Sequence, residues 1–197
     1  MRSIAGCFIL FTTLLSCGEP RQPTYVITNV GDTLLKTPQN NIPPPAADAT
    51  GHITTVITGT TTPQELIAYA KTLTGVKYKY GSTDPEEGFD CSGFITYVFN
   101  HFKIAVPRTS VDFTYVQKEI DVNRSTTGDL ILFTGTDSTI RVVGHMGIIT
   151  SNIEGDVRFI HSTSGRANGV TETSLAPYYK GRFIKAIRIF PQNDRPD

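Results

Sequence analysis

The sequence predicts an α+β fold, with helices at the N-terminal side of the domain packed on an antiparallel β-sheet. Three observations predict it. Apolar residues recur at helical spacing in Leu66, Ile67, Ala70 and Leu73, and again in Phe94, Ile95, Tyr97, Val98 and Phe102. From residue 129 onward the pattern becomes extended, with apolar runs separated by turn residues. The helical segments come first and the extended ones second, which is the order of an α+β layer rather than of alternating βαβ units.

The 197 residues have room for one domain with a real core plus an appendage. The 18 basic and 18 acidic side chains balance, and no basic patch stands out, so there is no case for nucleic acid. Met1-Arg2 is a short basic start, and residues 4–15 are an apolar run of signal-peptide length, too short to span a bilayer comfortably. The run ends at Leu14-Leu15-Ser16-Cys17-Gly18, which resembles a bacterial lipoprotein signal that is cut before the cysteine. The blander readings are a plain secretory signal or a buried apolar strand. Residues 1–16 are therefore expected to be a lipoprotein signal peptide and Cys17 the lipidated residue. Cys7 then leaves with the signal, and Cys91 is the single free thiol of the mature protein, in an oxidising compartment where no intramolecular disulfide can form.

Residues 17–60 read as a Pro-rich linker that follows the lipidated cysteine, with a short strand at Thr24-Tyr25-Val26-Ile27-Thr28. The folded domain is expected over residues 61–197. Thr62 caps its first helix, Pro63 suits the first helical position and Glu65 completes a capping box, with a stop at Gly75. A loop holding Tyr78, Tyr80 and Gly81 leads to the central helix. Pro107-Arg108-Thr109-Ser110 breaks the chain and opens a third helix over residues 111–120, with Val111, Tyr115, Val116 and Ile120 as its apolar stripe. Strands are expected over residues 129–133, buried on both faces, 142–150, 156–163 and 183–190, with a five-residue turn at 151–155.

Within this frame Gly88-Phe89-Asp90-Cys91-Ser92-Gly93-Phe94 places a cysteine where a loop becomes a helix. Unpaired N–H groups and the helix dipole favour negative charge there, so the thiol should ionise more easily. A turn that pairs Thr150 with Asp156 carries the register on to oppose His145 and His161 on one face; a slip of one residue would separate them. A thiol nucleophile, a base that takes its proton and a third group that holds the base are the parts of cysteine hydrolysis, with helix-start N–H groups for the oxyanion. Each residue also has a plain structural reading. Zinc binding is a weaker alternative, because there is one thiol and no CxxC or HExxH spacing. His101, about 15 Å along the helix from Cys91, reads as surface or core, and His52 falls in the linker.

Six segments in order resemble the NlpC-type bacterial cell-wall peptidases, a papain-like cysteine peptidase family. They are Gly75-Val76-Lys77-Tyr78-Lys79-Tyr80-Gly81, the Gly88 to Phe94 segment, Pro107-Arg108-Thr109-Ser110, Gly128-Asp129-Leu130-Ile131-Leu132-Phe133, Gly144-His145-Met146-Gly147-Ile148 and Phe159-Ile160-His161-Ser162-Thr163. The resemblance implies a papain-like fold, Cys91 as nucleophile, His145 as base and His161 as the orienting residue. It implies Tyr78 beside the cysteine, and Asp90, Ser92 and Arg108 as substrate-pocket residues. The implied reaction cuts peptidoglycan stem peptides at the γ-D-glutamyl–diamino acid bond. Ser82, Asp112, Phe113 and Thr127 depart from the family pattern outside the triad. The partners expected are stem peptides and, through the lipid anchor, a bacterial membrane of the cell envelope; a monomer without cofactor or metal is expected. An amidase or acyl transferase using the same thiol, or a non-catalytic wall-binding lipoprotein, is the alternative.

Overall fold

The computed structural model describes residues 25–27, 33–35, 43–116 and 118–194, which fall in two units, Met1–Asn41 and Ile42–Asp197. In the first unit β1 (Tyr25–Ile27) and β2 (Thr33–Leu35) pair antiparallel, with Val26 opposite Leu34. The expected signal peptide and Cys17 lie outside the described residues.

The second unit opens with β3 (Ala46–Ala47) and β4 (Ile53–Thr55), an antiparallel pair. Asp48 closes their turn by accepting from the Thr50 and His52 N–H groups at 2.8 and 3.0 Å. Val56 and Thr58 follow and are buried, Val56 within the main core, so the stretch read as linker contributes to this unit's packing.

The helix α1 (Pro63–Thr72) starts on the expected capping box: Glu65 N–H donates to Thr62 Oγ1 at 3.2 Å, and Thr62 N–H donates to the Glu65 carboxylate at 2.8 Å. Leu66, Ile67 and Ala70 are its buried stripe. A small hairpin, β5 (Thr83–Asp84) with β6 (Gly88–Phe89), then feeds α2 (Cys91–His101). Phe94, Ile95, Val98 and Phe99 of α2 are fully buried, each stabilising the fold by about 1.5–3 kcal/mol relative to exposure.

The third helix is corrected by the structure. Residues 112–115 form one 3-10 turn (Asp112–Tyr115), and β7 (Glu119–Ile120) follows. Just before that turn the Thr109 hydroxyl donates to Asp112 Oδ2 at 2.6 Å. Phe113 and Val116 are then drawn into the core, and Lys118, in a left-handed conformation (φ 79°), turns the chain into the sheet edge, where Arg188 N–H donates to Lys118 O at 2.9 Å. Tertiary burial overrides the helical spacing.

Five more strands complete the sheet: β8 (Leu130–Thr134), β9 (Val143–Ile153), β10 (Asp156–Thr163), β11 (Gly169–Ser174) and β12 (Phe183–Ile187). The six-stranded order is β11-β10-β9-β8-β12-β7, antiparallel throughout. As expected, β8 is buried on both faces: Leu130 and Leu132 join the cluster under α2, while Ile131 and Phe133 join Ile149, Val157, Phe159 and Tyr179 on the other face. The strand β11 is not among the sequence expectations. The result is the predicted α+β arrangement, with Cys91 as the first residue of the central helix.

Candidate active site

Loop and cap chemistry set the position of Cys91. Asp90 is the extended N-cap of α2, and its carboxylate accepts from Gly93 N–H and, at 2.9 Å, from Gly81 N–H. Gly93 lets the first turn press against the preceding loop: a Cβ there would lie 2.1 Å from Ser82 O. Arg108 completes the clamp, its Nη2 3.2 Å from Asp90 Oδ2 and 2.8 Å from Gly81 O, and its Nη1 3.0 Å from Ser92 Oγ. The three residues assigned to the substrate pocket with Tyr78 thus hold one another, and none lines the cleft; Tyr78 does line it beside Cys91.

The two histidines meet through an irregular register. The β9–β10 turn is shorter than expected, two residues with positive φ, Glu154 at 52° and Gly155 at 85°, so Asp156 pairs with Ile153. That register alone would put His145 and His161 on opposite faces. A β-bulge then shifts it: Arg158 pairs with Ser151 but Phe159 with Ile149, leaving Thr150 as the extra residue. Continued from Ile160 opposite Ile148, the ladder sets His161 across from Gly147, with His145 as its diagonal neighbour on the same face. The expected direct pairing is replaced by a diagonal one. Gly147 leaves the room this needs, since a Cβ there would lie 2.6 Å from Phe159 Cδ2 and 3.2 Å from His161 Cβ.

The resulting hydrogen-bond chain runs from His145 Nε2 to His161 Nδ1 at 2.7 Å and from His161 Nε2 to Thr173 Oγ1 at 3.1 Å. The tautomer that suits a base has His161 donating to Thr173 and His145 donating to His161, which leaves His145 Nδ1 free to accept a proton. Thr173 sits on the unexpected strand β11. Tyr179 stacks on His145, 5.8 Å between centroids, and meets His161 edge-on at 5.3 Å. Sequence reasoning missed both; the alternating polar run Thr171-Glu172-Thr173 was the available signal for the first.

Cys91 is half-buried, with Sγ 3.9 Å from Gly144 O. Burial, and then the Asp90 carboxylate next to it, push its thiol up to about 11, against the opposing pull of backbone N–H groups from Ser92, Cys91 and Met146. The helix start alone predicted an easily ionised thiol, but desolvation outweighs it here. His145 is held well below the usual imidazole range by burial, then by His161 and Arg182. Burial and then Arg182 push His161 down to about 3. These shifts favour a thiol beside two neutral imidazoles near neutral pH.

All three side chains line one cleft of about 930 Å³, together with Tyr78, Thr173 and Tyr179. A separate cavity of about 420 Å³, between β4 and the segment after β12, carries neither a thiol nor a histidine. Among the described residues no group of three or more His, Cys, Asp or Glu side chains is placed to hold a metal ion, and no helix is long and apolar enough to cross a membrane. His101 stacks on Tyr69 at 3.6 Å and His52 on Tyr115 at 3.9 Å, both in structural roles.

A model of the NlpC/P60 family matches residues 75–188, more than half of the chain and all of the site. The chain belongs to the NlpC/P60 family. This NlpC/P60 domain is 33% identical over 129 residues, 66% of the chain, to 30% of the gamma-DL-glutamyl hydrolase of Bacillus subtilis (strain 168). It is 32% identical over 121 residues, 60% of the chain, to 58% of the murein DD-endopeptidase MepS/murein LD-carboxypeptidase of Escherichia coli (strain K12). The chain thus spans less than two thirds of the length of these curated relatives. A crystal structure of an NlpC/P60 family protein from Bacillus cereus ATCC 10987 superposes with a TM-score of 0.58 at 29% identity, covering 68% of this chain and 42% of that one. The papain-like α+β fold is shared.

Proposed function

We propose that this chain is a cysteine peptidase that hydrolyses peptidoglycan stem peptides. The observation that carries the reading is the convergence of Cys91, the hydrogen-bonded pair His145 and His161, and Thr173 in one cleft of an NlpC/P60 domain. Cys91 Sγ attacks the scissile carbonyl while its proton passes to His145 Nδ1. The oxyanion is held by N–H groups at the start of α2, Cys91's own included. Collapse breaks the C–N bond, His145 returns the proton to the leaving amine, and a thioester remains. Water, deprotonated by His145, then releases the acid and the thiol. His161 holds the base and shares its charge without leaving its place.

The bond assigned is the γ-D-glutamyl–diamino acid bond. The relative named a gamma-DL-glutamyl hydrolase supports it, while the one named a DD-endopeptidase marks the alternative cut. Residues 1–16 act as a lipoprotein signal and Cys17 as the lipid-anchored residue, with the segment after it as spacer, which places a monomeric enzyme at the cell envelope. Asp90, Ser92 and Arg108 shape the pocket by fixing the helix start.

The test is mass spectrometry of purified stem peptides incubated with the protein and with Cys91→Ala. Cleavage after γ-D-glutamate that is lost in the variant supports the reading. Equal cleavage by a clean Cys91→Ala preparation overturns it.

A further inference from the structure

The cleft carries two arginines that the hydrolytic steps leave unused. Arg166 lies between β10 and β11, on the rim tied to Tyr78 where Tyr78 N–H donates to Asn168 O at 3.0 Å. Arg182 lies just before β12, on the rim formed with Thr134, whose carbonyl accepts from Arg182 Nη2 at 3.0 Å. The Arg182 guanidinium carbon sits 5.1 Å from the Tyr179 ring centre and 5.9 Å from that of Tyr178, so its cation is held beside two aromatic rings.

Among the described residues the arginine ion pairs involve Arg108, Arg158 and Arg188, and Arg166 and Arg182 take part in none. Among the described residues no aspartate or glutamate lines the cleft. Arg182 Nε is buried without a hydrogen-bond partner, an expensive state for a cationic donor. Thr163, Thr171 and Thr173 line the same cleft. A planar cation with an unpaired Nε, in a cleft lined by threonines and without a counter-anion among the described residues, matches a carboxylate.

We propose that Arg182, assisted by Arg166 on the other rim, is a carboxylate-binding subsite that selects a substrate carrying a free carboxylate beside the scissile bond. The proposal rests on the peptidase reading for its substrate class. A γ-linked glutamyl residue, unlike an α-linked one, keeps its α-carboxylate free next to the bond that is cut, and amidation to isoglutamine removes that charge. Binding has a second consequence. Arg182 adds to the lowering of His145 and His161, so a bound carboxylate offsets its field and eases proton transfer from Cys91 to His145.

The test has two arms. In the first, iodoacetate and iodoacetamide alkylate Cys91 in the full chain, followed by mass spectrometry of the Cys91 peptide, with glutathione as the reference thiol. The acetate-to-acetamide rate ratio is expected to exceed that of glutathione by about tenfold, the order a single nearby cation supplies, and to shrink with added salt. Arg182→Gln brings it towards the glutathione value and Arg182→Lys retains most of it. A wild-type ratio equal to that of glutathione, or one unchanged in Arg182→Gln, overturns the subsite.

In the second arm kcat/KM is compared on stem peptides containing D-glutamate and D-isoglutamine. The preference for the free acid is expected to fall about tenfold in Arg182→Gln. If the alkylation ratio behaves as expected and no stem peptide is cut, the peptidase reading fails and the subsite stands. If peptides are cut with an acid-to-amide preference that Arg182 does not influence, the subsite fails and the peptidase reading stands.

Discussion

The buried His145–His161 pair makes the fold sensitive to mild acid, and His161 lets the effect be sized. Its side chain is fully buried, and its pKa is pushed down to about 3 from an ordinary 6.5. The folded value is the lower one, so the unfolded chain takes up the proton first. The stability this group supports is complete above about pH 6.5 and is lost as pH falls towards the folded value. At about pH 5 the unfolded state is 1.5 pH units below its own pKa, which favours it by about 2 kcal/mol for this side chain. His145, lowered for the same first reason of burial, acts in the same direction. Ordinary carboxylates stay ionised across this window, so the histidines dominate it. The loss is a large share of the stability of about 5–15 kcal/mol typical of a domain. Urea unfolding of the wild type and of His161→Gln at about pH 7.5 and about pH 5 measures it, and the variant should lose about 2 kcal/mol less than the wild type. A wild type that loses under about 1 kcal/mol, or a variant that loses as much as the wild type, refutes the reasoning.

Three further outcomes follow from the site. Thr173→Val removes the hydroxyl that fixes His161 and should lower kcat by about 3- to 10-fold with KM unchanged, the worth of one hydrogen bond; a shift confined to KM in steady-state kinetics would contradict that role. Gly93→Ala drives a methyl group into Ser82 O and the Asp90 carboxylate, and should cost about 1–3 kcal/mol in thermal or urea unfolding as well as most of the activity; a fully stable, active variant would show that the helix start has slack. Alkylation of Cys91 by iodoacetamide should climb steadily with pH on the alkaline side, because the thiol is raised to about 11; a rate plateau below neutral pH would reveal a preformed thiolate–imidazolium pair.

The parts of this molecule that were legible in its sequence are those governed by local chemistry. Thr62-Pro63-Gln64-Glu65 announces α1, and the apolar face from Phe94 to Phe102 announces a helix with Cys91 at its start. The run Leu130-Ile131-Leu132-Phe133 announces a strand covered on both sides. What was not legible depends on tertiary context. The spacing of Val111, Tyr115, Val116 and Ile120 mimics a helix, but Phe113 and Val116 are needed in the core and Lys118 turns the chain away. The bulge at Thr150 has no sequence signature, so the histidines were brought to one face by the wrong register. The strand β11 reads as polar because Thr171, Glu172 and Thr173 are only half-buried at the sheet edge, and with it Thr173 was hidden. The thiol's reluctance to ionise comes from burial and from the Asp90 carboxylate, which a helix-dipole argument does not count.

The central claim is that Cys91 is a nucleophile served by His145 and His161. Acid-quenched intact-mass spectrometry of the protein during turnover of a stem peptide tests it most directly. The account predicts a transient mass gain equal to the acyl fragment, mapped to the peptide that contains Cys91 and absent in Cys91→Ala. Turnover with no adduct at any time point, and undiminished in Cys91→Ala, would contradict it.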